Sequence, residues 1–517
     1  MVPLLKTFLR VFITLIFSTS LFFCKNSAQK SAGKVADTKR PNILFVISDD
    51  QSYPHASAYG YKAVSTPAFD RVAREGILLT NAFVASPGCS PSRAALLSGL
   101  NCWQTREAGT HASTFPADLV PYTEVLEKAG YHVGMTGKGW GPGKVVGRAH
   151  NPAGKAYDKR KMEAPKGISD NDYAANFQDF IAQKADGQPF CFWFGAQEPH
   201  RRYPTGIGVK SGMKIADVKV PDFLPNDPDI KTDMLDYLYE IQWFDSHLDR
   251  MLRLLEEKGE LENTLVVVTS DNGMPFPRAK ANTYEYGFHV PMAIRWGSKI
   301  KGGRTVDDLI STVDLAPTFL EAASISNHPM QLEGRSLMKI FTSSKNGVLE
   351  KERQAVYASR ERHSSSRWNN LGYPQRALRT PDYLYIWNIQ PDRWPAGDPQ
   401  KFEEDSTLGP MDDAYHDIDD FNESPLITRR EESGINRYFH LAVDKRPEME
   451  LYDIRKDPYC LTNLAQQPAH QATRQKLEKQ MKDYLTKTND PRMSPNGETI
   501  YESYIRYSPI RKYPEPK

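Results

Sequence analysis

Asp49 and Asp50 stand directly after the apolar run NILFVIS (42–48), and Asp271-Asn272-Gly273 stands directly after LVVVTS (265–270). Paired carboxylates at the end of a buried strand are costly unless a cation neutralises them. A hard divalent cation with oxygen ligands is their natural partner. Each motif alone also reads as a solvated loop or a turn. The repetition favours two edges of one parallel sheet around one metal. Between them lies GCSPSRAALLSG (88–99). Pro91 near its start and Gly99 at its end bracket a helix whose N-terminus carries Cys89 and Arg93. Such an end attracts anions through free N–H groups and the helix dipole. A cysteine nucleophile of lowered pKa is one reading of Cys89, although no papain-like surroundings accompany it.

The elements that must hold these residues follow from periodicity. NILFVIS is continuous enough to be a strand buried on both faces. Pro67 to Gly76 reads as a short helix with Thr66 as N-cap, Pro67 in the first turn and Gly76 as the stop. Tyr131–Met135, Phe190–Ala196 and Leu265–Ser270 repeat the style of the first strand. Asp233 to Lys258 carries apolar residues at helical spacing, from Leu235 and Leu238 through Ile241 and Leu248 to Leu255. Strands alternating with helices give an α/β fold with a mostly parallel sheet, and chemistry then belongs outside the strands' carboxyl ends. Beyond Ser343 the texture changes: short strands such as Asp382–Asn388, a charged helix at Gln471–Lys487 and ragged loops between 390 and 440. The expected division is a catalytic domain at 41–343 and a smaller α+β C-terminal domain at 344–517 that contributes to substrate binding.

The chain has 517 residues with 66 Lys+Arg against 64 Asp+Glu, a net charge of +2. That balance argues against a nucleic-acid partner, and five cysteines are too few for a disulfide scaffold. Lys6 and Arg10 before the apolar run Val11–Phe23 make residues 1–24 a secretory signal, followed by a polar linker at 25–40. Cys24 at the end of that run resembles the lipidated cysteine of a bacterial lipoprotein, with Phe23 departing from the usual small residue. Export to the periplasm is expected, and a membrane contact only through such an anchor.

CSPSR followed by AALLSG resembles the signature of the formylglycine-dependent sulfatases of the alkaline-phosphatase-like superfamily. NILFVISDD, TPAFDRVAREG, GYHVGMTGKG, TSDNG and ELYDIRKDPYCLTNLA fall in that family's order, so the likeness spans most of the chain. It implies an alkaline-phosphatase-like sheet flanked by helices and a maturation enzyme that oxidises Cys89 to formylglycine. Asp49, Asp50, Asp271 and Asn272 then resemble ligands of Ca2+, joined by an oxygen of modified Cys89. Arg93 matches the residue that holds the formylglycine hydrate, Lys138 and Lys280 match sulfate-binding cations, and His200 matches the donor to the leaving group. One position departs: Trp140 stands where many members have a histidine that helps break down the sulfated intermediate, and His111 is the substitute if the loops converge.

SDNGMPFP and the pairing of AQEPHRR with YPQRALR look closest to the heparan N-sulfatase (sulfamidase) branch. Arg360, Arg362, His363, Tyr373 and Arg376 are candidate substrate contacts from the C-terminal part, with a charged loop as the bland alternative. The resemblance implies a secreted sulfatase acting on a sulfated polysaccharide such as ulvan, another algal glycan or a glycosaminoglycan. Sulfamate cleavage on glucosamine is the alternative within the family. A superfamily phosphatase would use Ser or Thr with zinc ligands. A sulfated-glycan binding protein would require Cys89 to stay unmodified.

Overall fold

Strand β1 spans Asn42–Ser48, the predicted limits, with every residue buried. Its side chains alternate between two cores: Ile43, Phe45 and Ile47 enter one, Leu44 and Val46 the other. A strand covered on both faces has no use for polar residues, which is why the sequence runs apolar without a break. The structure is a computed structural model that describes residues 40–420 and 424–516. The expected signal segment 1–24, Cys24 and all of the linker but Arg40 lie outside the described residues.

Five further strands build the main sheet around β1: β2 (Ile77–Phe83), β3 (His132–Gly137), β4 (Phe190–Gly195), β5 (Thr264–Ser270) and β6 (His289–Arg295). The order is Arg304–Val306, β2, β6, β5, β1, β4, β3 and Lys155–Ala156, with Ile310–Ser311 also on β2. The sheet is mostly parallel, but β6 runs antiparallel to both β2 and β5. Helix α1 (Pro67–Glu75) begins after Thr66 as expected, yet the Thr66 hydroxyl does not cap it. Asp245, on the long helix α3 (Pro228–Glu257), takes the free N–H groups of Ala68 and Phe69 at 2.9 and 2.8 Å instead. Helix α2 spans Cys89–Ser98 and is buried throughout. It starts two residues before Pro91, at the cysteine itself, and Gly99 ends it in the left-handed conformation at φ 67°.

A second, antiparallel sheet orders Val356–Arg360, Gln375–Arg379, Tyr383–Asn388 and Met449–Asp453. Its inner residues Val356, Ala358, Ala377, Leu384 and Ile386 belong to the same buried cluster as Phe45. Residues 40–517 form one compact unit, so the C-terminal layer shares a core with the main sheet rather than packing as a separate body. Helix α4 (Gln471–Lys487) covers its other face with Leu477, Met481 and Leu485.

Register decides what the strands deliver. In β1 and β5, Ser48 pairs with Ser270, so residues 49 and 271 leave side by side, about 4.8 Å apart for neighbouring strands. In β3 and β4, Gly137 pairs with Gly195, which brings Lys138 and the segment leading to His200 to the same edge. Gly137 sits at φ 74°, and a Cβ there would lie 2.1 Å from the Gly195 carbonyl oxygen. Gly137→Ala is therefore expected to cost about 1–3 kcal/mol in backbone strain, with the clash added, and to displace Lys138. A thermal melt at the wild-type temperature would show that the turn absorbs the methyl group.

Candidate active site

Four adjacent strands end at one place, and their next residues converge. Cys89, at the first position of α2, lies with its Sγ 3.4 Å from Asp49 Oδ1 and 3.9 Å from Asp50 Oδ1. Arg93, one turn further on, donates through Nε to Asp271 Oδ2 at 2.7 Å and through Nη1 to the Lys138 and Gly139 carbonyls. Lys138 Nζ reaches Asp49 Oδ2 at 2.5 Å. Lys280 Nζ lies between Asp50 Oδ2 at 2.6 Å and Asp419 Oδ2 at 2.7 Å. Asn272 donates to Asp50 Oδ1 at 2.7 Å. The Nδ1 of His200 faces only an acceptor, the Arg201 carbonyl at 2.6 Å, so that nitrogen carries the proton. Its Nε2 points at Asp50 and Asp419, 3.9 and 4.0 Å away.

Asp49, Asp50, Asp271 and Asn272 are fully buried. Burial alone would raise the Asp49 carboxyl, but Lys138 above all, then His200, Arg93 and Lys280, hold it well below the usual range. Asp271 goes the other way: burial raises it, and although Arg93 opposes, Asp49 beside it adds to the rise. The carboxylates Asp49, Asp50, Asp271 and Asp419 face the permanent cations Arg93, Lys138 and Lys280, leaving one negative charge in excess. The Oδ1 of Asn272 is buried with no hydrogen-bond partner. Asp49, Asp50 and Asp271 bring ligand oxygens within 4.8 Å of one another. An orphaned carbonyl oxygen beside clustered, under-compensated carboxylates fits a hard cation.

The Cys89 thiol is raised well above its ordinary range by burial, then by Asp49, with Lys138 and Lys280 opposing. This disfavours the activated-thiolate reading: α2's N-terminus favours a thiolate, but the carboxylates and the lack of solvent oppose it.

Trp140 is buried, and its indole N–H donates to the Ser90 carbonyl at 2.9 Å, so it braces the start of α2 and offers no proton acceptor. His111 does reach this neighbourhood: Ala112 N–H donates to Ser90 Oγ at 3.3 Å, and the His111 ring lies 4.9 Å from that of His363. His363 abuts Gly88, where a Cβ would lie 3.0 Å from its Nδ1. Both imidazoles are lowered chiefly by burial, His363 to about 4, and His111 Nδ1 has no partner.

Three of the anticipated C-terminal contacts make internal hydrogen bonds, although Arg360 and Arg362 each keep two buried nitrogens without a partner. Arg376 is closed off by Asp490, at 2.5 and 2.9 Å, and by Glu361 at 2.8 Å, so it braces the C-terminal layer instead of facing the cleft. Arg360, with Tyr373 at its face, donates to Asp417 Oδ2 at 2.7 Å. Arg362 donates to the Tyr504 carbonyl at 2.9 Å. The residue that sequence reasoning missed is Asp419. Its only trace was the acidic run Asp417-Ile418-Asp419-Asp420 within the segment read as ragged loops. Asp417 anchors that loop through Arg360, Arg367 and the Ser364 N–H, and Asp419 is thereby carried to Lys280.

A cleft of about 480 Å³ opens over this centre, lined by Asp49, Lys138, Trp140, Asn151, Gln197 and His200. Through Arg201 and Arg202 it meets a second cavity of about 560 Å³ bearing Tyr203, Asp233, Phe276 and Asp419. Each has the size of an ordinary small-ligand site.

Residues 41–325 match the family described as Sulfatase, and residues 279–401 match the C-terminal region of N-sulphoglucosamine sulphohydrolase. An ulvan-active sulfatase of Formosa agariphila is 28% identical over 497 residues, covering 93% of this chain and 88% of the relative. The human N-sulphoglucosamine sulphohydrolase is 27% identical over 490 residues, covering 87% of this chain and 91% of that protein. A solved structure in complex with its substrate D-glucosamine-2-N,6-O-disulfate superposes with a TM-score of 0.61 at 21% identity, covering 87% and 99% of the two chains. A 2-O GAG sulfatase gives 0.62 at 20%, covering 89% and 96%. At these identities the solved structures bear on the fold, which is the alkaline-phosphatase-like one expected.

The buried carboxylates generate a direct test. A divalent cation that binds only the folded chain stabilises it, by about 2.7 kcal/mol at a hundred times its dissociation constant. The wild type is expected to melt higher as such a cation is added, and Asp271→Ala is expected to abolish the response. An equal response in both would place cation binding elsewhere.

Proposed function

The chain belongs to the sulfatase family, and on that premise we propose that it is an exported enzyme that removes sulfate from a polysaccharide or its oligosaccharides, using formylglycine at position 89 and calcium. It is a sulfuric ester hydrolase; the nucleophile, the metal, the sugar and the compartment are our reading. The observation that carries it is Cys89 itself, buried between Asp49 and Asp50 at the start of α2 with Arg93, Lys138 and Lys280 around it. As a thiol it is disarmed. A geminal diol in its place would present one hydroxyl for attack and keep one for release.

Asp49, Asp50, Asp271 and Asn272 would hold the calcium ion, an all-oxygen set without the His or Cys ligands that zinc prefers. When bound, calcium supplies positive charge beside the sulfate and the attacking oxygen. One hydroxyl of the hydrated formylglycine passes its proton to the adjoining carboxylates of Asp49 and Asp50 as it attacks sulfur. The bond from sulfur to the sugar breaks, and the departing oxygen takes a proton from Nε2 of the doubly protonated His200 ring. Lys138 and Lys280 stand to neutralise the non-bridging oxygens, and Arg93, tied to Asp271, holds the diol in place. The second hydroxyl then gives up its proton, its oxygen becomes the aldehyde carbonyl, and the carbon–oxygen bond to sulfate breaks. Water rehydrates the aldehyde, so each turnover consumes one water. Trp140 cannot take that second proton, and this reading assigns the task to His111.

The carbohydrate class is supported by the relatives' names, an ulvan-active sulfatase and an N-sulphoglucosamine sulphohydrolase. The match at 279–401 favours a second reading, hydrolysis of an N-sulfate on glucosamine. Paired O- and N-sulfated glucosamines decide between them by which releases sulfate. Export rests on the signal-like segment 1–24, and metabolic lipid labelling of wild type against Cys24→Ala tests the anchor.

Active protein made with a maturation system is expected to carry an aldehyde in place of the thiol at position 89, seen by peptide mass spectrometry, and Cys89→Ala is expected to lose turnover. Active protein holding only unmodified Cys89 would sink the mechanism. His200→Ala is expected to slow alkyl sugar sulfates by roughly 10²–10⁴-fold and an aryl sulfate far less, since a phenolate departs unaided. Small and equal effects on both would assign the acid to another group, with Lys280 next.

A further inference from the structure

The segment Tyr504–Tyr513 is laid along the rim behind α2 and held by its backbone. Tyr507 N–H donates to the Ala112 carbonyl at 2.8 Å, Arg511 N–H to Ser365 Oγ at 2.9 Å, and Phe402 N–H to the Lys512 carbonyl at 2.9 Å. The Tyr513 hydroxyl fixes the far end on the Ser365 carbonyl at 3.0 Å. This rim adjoins residues of the catalytic centre at two points. Ala112 also contacts Ser90, next to Cys89. Lys144, whose ammonium lies 5.6 Å over the exposed ring of Tyr507, follows Gly143, and a Cβ on Gly143 would lie 2.5 Å from the Trp140 indole of the cleft wall.

The rim's charge is one-sided. Lys144, Arg511 and Lys512 are exposed, and none of them, nor Arg506, has a carboxylate at ion-pair distance among the described residues. Nearby cations are satisfied: Arg393 pairs with Glu502 at 2.6 Å and Lys401 with Glu403 at 2.7 Å. Unpaired cations crowded on an ordered strap repel one another, and a polyanion relieves that repulsion while its sugar faces can lie on Tyr507.

We propose that the strip Lys144, Tyr507, Arg511 and Lys512 binds the sulfated chain beyond the residue being desulfated, taking a second sulfate or carboxylate of the same polymer. This rests on the polysaccharide reading above and deepens it: the enzyme engages polymer along a track outside the reacting site. The strip adjoins residues that border the cleft, and its positive charge matches a sulfated polymer, so the occupant we assign is the substrate's own chain.

The test compares wild type, Arg511→Glu/Lys512→Glu and Lys144→Ala on three readouts: 4-nitrophenyl sulfate turnover, sulfate release from a sulfated polysaccharide, and retention on immobilised dextran sulfate against a salt gradient. The expected result is unchanged aryl sulfate turnover with earlier elution. For the double variant, the polymer KM should rise roughly tenfold at low salt and converge on wild type as salt screens the contact. Wild-type elution and polymer KM in the charge-reversed variant would overturn the proposal. Should that variant lose aryl sulfate turnover as well, Lys144→Ala decides by the same criteria, since its ammonium makes no hydrogen bond. Retention requires no turnover, so it judges the strip even if no glycan sulfate proves to be a substrate.

Discussion

Everything in this active centre depends on concentrating carboxylates where water is excluded. The carboxyl ends of β1 and β5 place Asp49, Asp50 and Asp271 in contact at zero to two per cent exposure. Such a cluster is tolerable only when opposite charge is fixed beside it, because removing one member of a buried pair costs about 3–5 kcal/mol. Arg93, Lys138 and Lys280 supply that charge from three separate elements. The helix carrying the cysteine, the turn after β3 and the loop after β5 are thus tied to β1 by the same electrostatic requirement. The groups that would balance a bound sulfate are the groups that hold the fold's centre together.

That arrangement also disfavours the thiolate form of the cysteine. A helix N-terminus would ordinarily favour a thiolate, but here the negative field of Asp49 and the absence of solvent prevail. The carboxylates suit a cation and the lysines an anion, and the same field opposes a further charge on sulfur. The oxidation to an aldehyde that we propose would remove the conflict, since a neutral diol carries hydrogen-bonding oxygens without a charge.

The C-terminal layer reaches the centre through His363, beside Gly88 and His111, and through a strut. Arg360 and Arg367 both donate to Asp417, and this fixes the loop that brings Asp419 to Lys280. Arg376, with Asp490 and Glu361, ties the same layer together further from the cleft. Arg360, Arg367 and Arg376 thus work as internal struts, whereas Lys144, Arg511 and Lys512 are exposed cations without a carboxylate partner among the described residues. The division of labour is physical: an arginine enclosed with carboxylates holds backbone in place, while one exposed without them is available to a ligand.

Continuous apolar runs and their flanking residues determined β1 to the residue and β4, β5 and α4 to within one, because burial on both faces, or a helical stripe, leaves a local imprint on composition. The ordered motifs likewise carried Asp49, Asp50, Cys89, Arg93, Lys138, His200, Asp271, Asn272 and Lys280, each sitting next to the element that positions it. What local sequence could not carry was any partnership made across the chain. Thr66 occupies the N-cap position, but Asp245, 177 residues away in the hydrogen bond it makes to Ala68, takes the helix's free donors. The antiparallel strand β6, the approach of Asp419 to Lys280 and the meeting of His111 with His363 have no periodic signature. Arg376 and Arg511 are the same residue type in charged surroundings; only the folded chain, by enclosing one with Asp490 and leaving the other exposed with the Ser365 carbonyl as its acceptor, decided which is a charge-paired strut and which keeps its charge uncompensated.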